Sequence, residues 1–123
     1  VPRVSINAYS ENLKNIFNTI KNYGGKPVFI NICNYKKYSL VALNLANESD
    51  IPFINFIKEV KPLSSEIPNR FPKKFIQYFD AYGKMMEESE LYAVLFPDGC
   101  HPNAIGHHLL GEVLYKTLIG KAS

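Results

Sequence analysis

Tyr9, Leu13, Ile16, Phe17 and Ile20 recur at i, i+4, i+7, i+8 and i+11. That spacing puts them on one face of a 3.6-residue turn and predicts an amphipathic helix over Asn7 to Tyr23. Gly24-Gly25 should close it, since glycine takes the left-handed conformation that ends a helix. Val28-Phe29-Ile30-Asn31-Ile32 is then short and mostly apolar, bounded by Pro27 and Asn34, as expected of a strand covered on both faces of a parallel sheet. Tyr38, Val41, Ala42 and Leu45 return to helical spacing until Asn47-Glu48-Ser49-Asp50 interrupts them. Ile51-Pro52-Phe53-Ile54-Asn55-Phe56-Ile57 supplies a second apolar strand. Strand, helix and strand over roughly 30 residues make a βαβ unit. Its crossover should be right-handed, with the first helix also packed on the sheet.

Lys58 to Arg70, rich in Pro, Ser and charge, reads as a loop. Phe71, Phe75, Ile76, Phe79, Tyr82 and Met86 mark another helix, with Pro72 tolerated in its first turn. Its rings should serve the core or face a partner. Glu87-Glu88-Ser89-Glu90 should be solvated, and Leu91 to Phe96 is apolar again. In the last helix Ile105, Leu109, Leu110, Val113, Leu114 and Leu118 cover a wide face, Glu112 and Lys116 the other, and Gly120 follows its end. On this wheel His107 falls beside Leu114 and Leu118, hydrogen-bonded in the core, and His108 falls in water.

The fold class is therefore α/β. Two strands are few for such a sheet, which usually has about five or six. One strand edge should be left open to association. The expectation is a single partial α/β domain over residues 1–123, half of a larger fold. It would pair through that edge with its own copies or with the missing half, which the resemblance described below implies is N-terminal.

Composition narrows the function classes. Apolar residues at 46% and aromatic residues at 13% fit a folded domain and exclude disorder. The formal charge is a mild +3, and Lys36-Lys37 and Lys73-Lys74 are separate pairs without a stacking platform, so nucleic acid is not the expected partner. No apolar run approaches the ~20 residues of a membrane span. No signal peptide opens the chain, although a Val at position 1 leaves room for a lost leader. Cys33 and Cys100 have no zinc spacing and read as free thiols of a reducing compartment, which slightly favours the cytoplasm. A disulfide between them stays open, because sequence gives no Cα separation.

The chemistry concentrates in Phe96-Pro97-Asp98-Gly99-Cys100-His101-Pro102-Asn103. Pro102 pushes His101 out of helical geometry, so its imidazole belongs to the approach loop. Asp98, three residues earlier across Gly99, can fold back to accept the proton of one ring nitrogen, leaving the other as a base. Asn103 can cap the following helix and stiffen the loop, as a general base requires. A bare Asp-x-x-His also occurs as a simple helix-capping turn. A Cys100–His101 nucleophile pair is disfavoured, since consecutive extended residues point to opposite sides. His107 and His108 diverge by about 100° and cannot share one metal. Asn31 and Asn34 flank the first strand's carboxyl end, where open α/β sheets bind ligands. Asn34 equally suits the start of the next helix.

The string Asp98-Gly99-Cys100-His101-Pro102-Asn103-Ala104-Ile105-Gly106-His107, followed by an apolar helix, resembles the last block of the SGNH (GDSL-type) hydrolases, D-x-x-H-P with N-x-x-G-H after it. Other segments are similar to that family as well. Val1-Pro2-Arg3-Val4 and Tyr9-Ser10-Glu11-Asn12-Leu13 resemble the helix before its fourth strand, Val28 to Ile32 that strand, and Ile51 to Asn55 the fifth, where many members carry Asp in place of Asn55. The resemblance implies the C-terminal part of a flavodoxin-like three-layer α/β/α domain. Asp98 would orient and support His101. His101 would be general base for a serine, then general acid for the leaving alcohol. The substrate would be an ester or acetylated small molecule, carbohydrate or lipid, with no cofactor and no metal. The G-D-S block and the oxyanion glycine and G-x-N-D blocks have no counterpart in the 123 residues. Ser5, Ser10, Ser39, Ser49, Ser64, Ser65, Ser89 and Ser123 all lack the nucleophile's context. The expectation is a hydrolase fragment inactive alone; the alternative is a non-catalytic α/β fragment or subunit that acts by association.

Overall fold

A computed structural model describes residues 4–32, 35–70 and 86–120. The chain is mixed α/β, mostly helical, with one small parallel sheet among the described residues. It divides into two compact units, Val1–Asn55 and Phe56–Ser123.

In the first unit, helix α1 spans Ile6–Asn22. Ser5 caps it by accepting the Ala8 N–H at 3.1 Å. At the other end Gly24, at φ 82°, lets the Gly25 N–H reach the Ile20 carbonyl at 2.8 Å and its own N–H reach that of Lys21 at 3.0 Å. This paired closure is the glycine ending expected from the sequence. Strand β1 is Phe29–Asn31, helix α2 Lys36–Glu48 and strand β2 Phe53–Asn55. The strands run parallel with Phe29 opposite Phe53, Ile30 opposite Ile54 and Asn31 opposite Asn55. The Phe29 and Phe53 rings stack at 5.4 Å. Leu13 and Phe17 of α1 pack with Ala42, Leu45 and Ala46 of α2 and with Ile51 as the core of this unit. The two alanines are fully buried. Their small side chains let α2 lie close to its neighbours.

The second strand is shorter than expected. Phe56 and Ile57 leave the extended conformation and begin helix α3, Phe56–Val60. A continuous apolar run has no period to separate strand from helix. What decides here is the i, i+4 pair Phe56 and Val60, both fully buried. Residues 58–70 are likewise not a loop. After α3 come a 3-10 turn at Lys61–Glu66 and helix α4 at Ile67–Arg70. Pro62 sits in the first turn of the 3-10 segment, where its missing N–H costs nothing. Buried Ser64 donates to the Lys61 carbonyl at 2.7 Å and accepts the Met86 N–H at 2.8 Å, so no polar atom there is left unsatisfied.

The helix expected over Phe71 to Met86 lies outside the described residues except for Met86, which is buried. Helix α5 spans Glu88–Leu95 and places Glu88 and Glu90 in its first turn, with Glu87, Ser89 and Glu90 exposed as expected. Carboxylates suit a helix N-terminus. Helix α6 spans Ala104–Leu118. Phe56 of α3 meets Phe96 edge to face at 6.0 Å. On α6 the buried residues are Ile105, Gly106, Leu109 and Val113. That arc is narrower than the apolar sequence suggested, and Leu118 is exposed. His107, placed by its neighbourhood with Leu114 and Leu118, is exposed as well, not buried. His108 is exposed as expected and meets Glu112 at 3.3 Å. Among the described residues no helix is long and apolar enough to cross a membrane.

Candidate active site

The candidate site is the loop between α5 and α6. Phe96 ends α5, and the Gly99 N–H turns back to its carbonyl at 2.8 Å. Pro97 occupies the second position of this four-residue turn and Gly99 the fourth, both favoured there. Gly99 has φ 77°, a conformation in which a side chain would be strained.

Asp98 closes the turn on both sides of its carboxylate. Oδ1 accepts the backbone N–H of Cys100 at 2.8 Å and of His101 at 2.7 Å. Oδ2 lies 2.6 Å from His101 Nδ1. The backbone N–H of His101, then its ring, then the N–H of Cys100 hold the Asp98 carboxyl well below the usual carboxylate range. An ionised carboxylate only accepts hydrogen bonds, so Nδ1 carries the hydrogen, and in the neutral ring that leaves the lone pair on Nε2. The side chains of His101 and Asp98 are 79% and 54% exposed. Water screens an ion pair this open, so the contact adds little to stability. Its effect is to fix the tautomer and the rotation of the imidazole.

A carboxyl carbon titration followed by NMR should therefore show no Asp98 inflection in the ordinary range near ~4. Because the folded pKa lies below the unfolded one, the unfolded chain takes up the proton first. The stability that Asp98 contributes is complete above the ordinary aspartate range and drains away as the pH falls through the lowered folded value. An inflection at the ordinary position would show the paired arrangement to be unpopulated in solution.

Asn103 secures the far end of the loop. Its Oδ1 accepts the Gly106 N–H at 2.9 Å, capping α6 as expected. Its Nδ2 donates to the Val94 carbonyl at 2.8 Å, and its backbone N–H donates to that of Leu95 at 2.7 Å. One residue thus satisfies carbonyls at the end of α5 and a donor at the start of α6. Gly106 permits the closeness, since a Cβ there would sit 2.9 Å from Pro102 Cβ and 3.2 Å from the Leu95 carbonyl oxygen.

The loop also has a support that the sequence reading missed. Tyr92 Oη donates to the Gly99 carbonyl at 2.9 Å, while its ring stacks on Phe96 at 4.6 Å. The available signal was the i, i+4 spacing of Tyr92 and Phe96 immediately before the turn.

Other candidates are not brought to the dyad. Cys100 is an exposed free thiol, and among the described residues no hydrogen bond joins its sulfur to His101. Cys33 and Asn34 lie outside the described residues, and α2 begins after Tyr35. Asn31 is buried and accepts from Ser39 Oγ at 3.0 Å. Ser5, Ser39 and Ser64 are thus engaged in local hydrogen bonds within the fold. No group of three metal-ligating side chains occurs among the described residues. In comparisons with known proteins, no family model, no curated protein and no solved structure matches the chain.

Proposed function

We propose that this chain supplies the base and the orienting acid of a serine ester hydrolase of the SGNH type, as the C-terminal part of its three-layer α/β/α domain. The observation that carries the reading is the double grip of Asp98 on His101, by backbone at 2.7 Å and by ring at 2.6 Å. Such a grip orients the imidazole and, in its neutral form, selects the tautomer with Nε2 free, the form a general base needs. In this reading Nε2 takes the proton of a serine hydroxyl as it attacks the acyl carbon, then returns it to the leaving alcohol. Asp98 stays ionised and stabilises the imidazolium between the two steps. The substrate class is an ester or acetyl group on a small molecule, carbohydrate or lipid. The serine and the oxyanion donors come from another polypeptide segment, because none of the serines here has the required context.

The expected result for the purified 123-residue chain is no significant esterase activity, since triad members act as a unit. Turnover of a p-nitrophenyl ester by this chain, lost in His101→Ala, would overturn that expectation. The hydrolase reading itself is tested on the product of the whole reading frame with a fluorophosphonate probe. Covalent labelling of a serine that disappears in His101→Ala supports it; a product that neither labels nor hydrolyses p-nitrophenyl acetate removes it.

A further inference from the structure

The peptide unit between Gly99 and Cys100 is gripped from both ends. Its carbonyl accepts the Tyr92 hydroxyl at 2.9 Å, and its N–H donates to Asp98 Oδ1 at 2.8 Å. No described peptide bond is cis. In a trans peptide the C=O and N–H point to opposite sides, so fixing the carbonyl fixes the direction of the N–H. The other oxygen of the same carboxylate meets His101 Nδ1 at 2.6 Å. A continuous chain of hydrogen bonds therefore runs from the phenol through one amide and one carboxylate to the imidazole. Each polarises the next, and a phenol on a carbonyl makes its amide N–H a better donor.

The phenol itself is well anchored. Tyr92 lies in α5 and its ring stacks on Phe96 at an interplanar angle of 13°. Phe96 is almost fully buried and contacts buried Phe56 edge to face. The Gly99 end of the loop is in this way tied to the packed interior through Tyr92.

We propose that Tyr92 is a positioning residue for the Asp98–His101 pair, acting through the Gly99–Cys100 peptide. It sets the direction of the Cys100 N–H and so the rotation of the Asp98 carboxylate about its own bonds. The catalytic significance of that rotation rests on the hydrolase reading, but the link from Tyr92 to the imidazole does not.

The test is Tyr92→Phe in the full chain, which deletes the hydroxyl and keeps the stacked ring. Amide exchange at Cys100 is expected to rise about tenfold, the upper range for one lost hydrogen bond. The His101 Nδ1 proton should exchange faster, and the Asp98 carboxyl should titrate closer to its ordinary position. Lower thermal stability with all three signals unchanged would reduce Tyr92 to a packing residue and overturn the proposal. In the whole-reading-frame enzyme the same variant should lower kcat and leave KM in place. If the three signals move but no His101-dependent hydrolysis exists, the positioning link stands and the hydrolase reading falls.

Discussion

On the proposed hydrolase reading, His101→Ala is expected to lower serine-dependent ester hydrolysis by the product of the whole reading frame by about four to six orders of magnitude in kcat. That corresponds to roughly 5–8 kcal/mol of lost transition-state stabilisation. In the proposed mechanism the imidazole is the group that moves a proton in both directions. Its removal should leave KM nearly unchanged, because in the proposed mechanism the ring acts on the proton and not in holding the substrate. It should also leave the fold intact, since the side chain is 79% exposed and its backbone N–H, which Asp98 uses, remains. Asp98→Asn separates orientation from proton transfer. The amide oxygen can still accept the N–H groups of Cys100 and His101, while the amide NH2 turns toward Nδ1. A donor facing Nδ1 demands a lone pair there and moves the ring hydrogen to Nε2, where the base is needed. The expected loss is about 10^4-fold at neutral pH with little change in melting temperature. The measurements are steady-state kinetics alongside the ring nitrogen shifts of His101. Full activity in His101→Ala would sink the assignment. Full activity in Asp98→Asn, with the hydrogen moved to Nε2, would show that the tautomer does not matter.

The part of this site that was readable in advance is local. Asp98 and His101 are three residues apart, and a carboxylate reaching two backbone N–H groups and a ring over that span needs only Gly99 at φ 77° and the Pro97 turn. The Asn103 cap is local in the same way. The Asn103 bond to Val94 spans nine residues, and nothing in a sequence marks which carbonyl at the end of α5 will face which amide. The Tyr92 hydroxyl bond to Gly99 is not legible in sequence, because a tyrosine in an apolar run looks like another core ring. Strand β2 is shorter than the apolar run for a different reason. Ile54 and Phe56 are both buried, but one belongs to a strand and the next to a helix, and continuous apolarity hides that change. His107 is exposed although Leu114 and Leu118 share its side of the wheel, because the buried arc of α6 is set by Ile105, Gly106, Leu109 and Val113. Which apolar residues of a helix are covered depends on what packs against it, and a helical wheel carries no information on that.

Asn103→Ala is expected to destabilise the second unit by about 2–4 kcal/mol, a lost cap plus a carbonyl deprived of its donor. Urea unfolding followed by far-UV circular dichroism measures the change as a shift in midpoint at constant slope. Asn103→Asp divides the two contributions. Its carboxylate still accepts the Gly106 N–H and suits the helix N-terminus, but it has no hydrogen to give to Val94 and sets a charge against that carbonyl. It should therefore recover only the cap, about 1 kcal/mol of the alanine loss. An alanine variant within ~0.5 kcal/mol of the parent, the ordinary range for surface substitutions, would show that the α5–α6 closure is not made in solution. Activity should respond differently from the dyad itself. The bonds of Asp98 to Cys100 and His101 all lie within four residues and do not pass through Asn103. The His101 ring proton signature should therefore persist in Asn103→Ala while kcat of the whole enzyme falls. A base can keep its tautomer and still lose its place. In the proposed hydrolase, holding that place within hydrogen-bond reach of a serine would be the work of the closure that Asn103 makes.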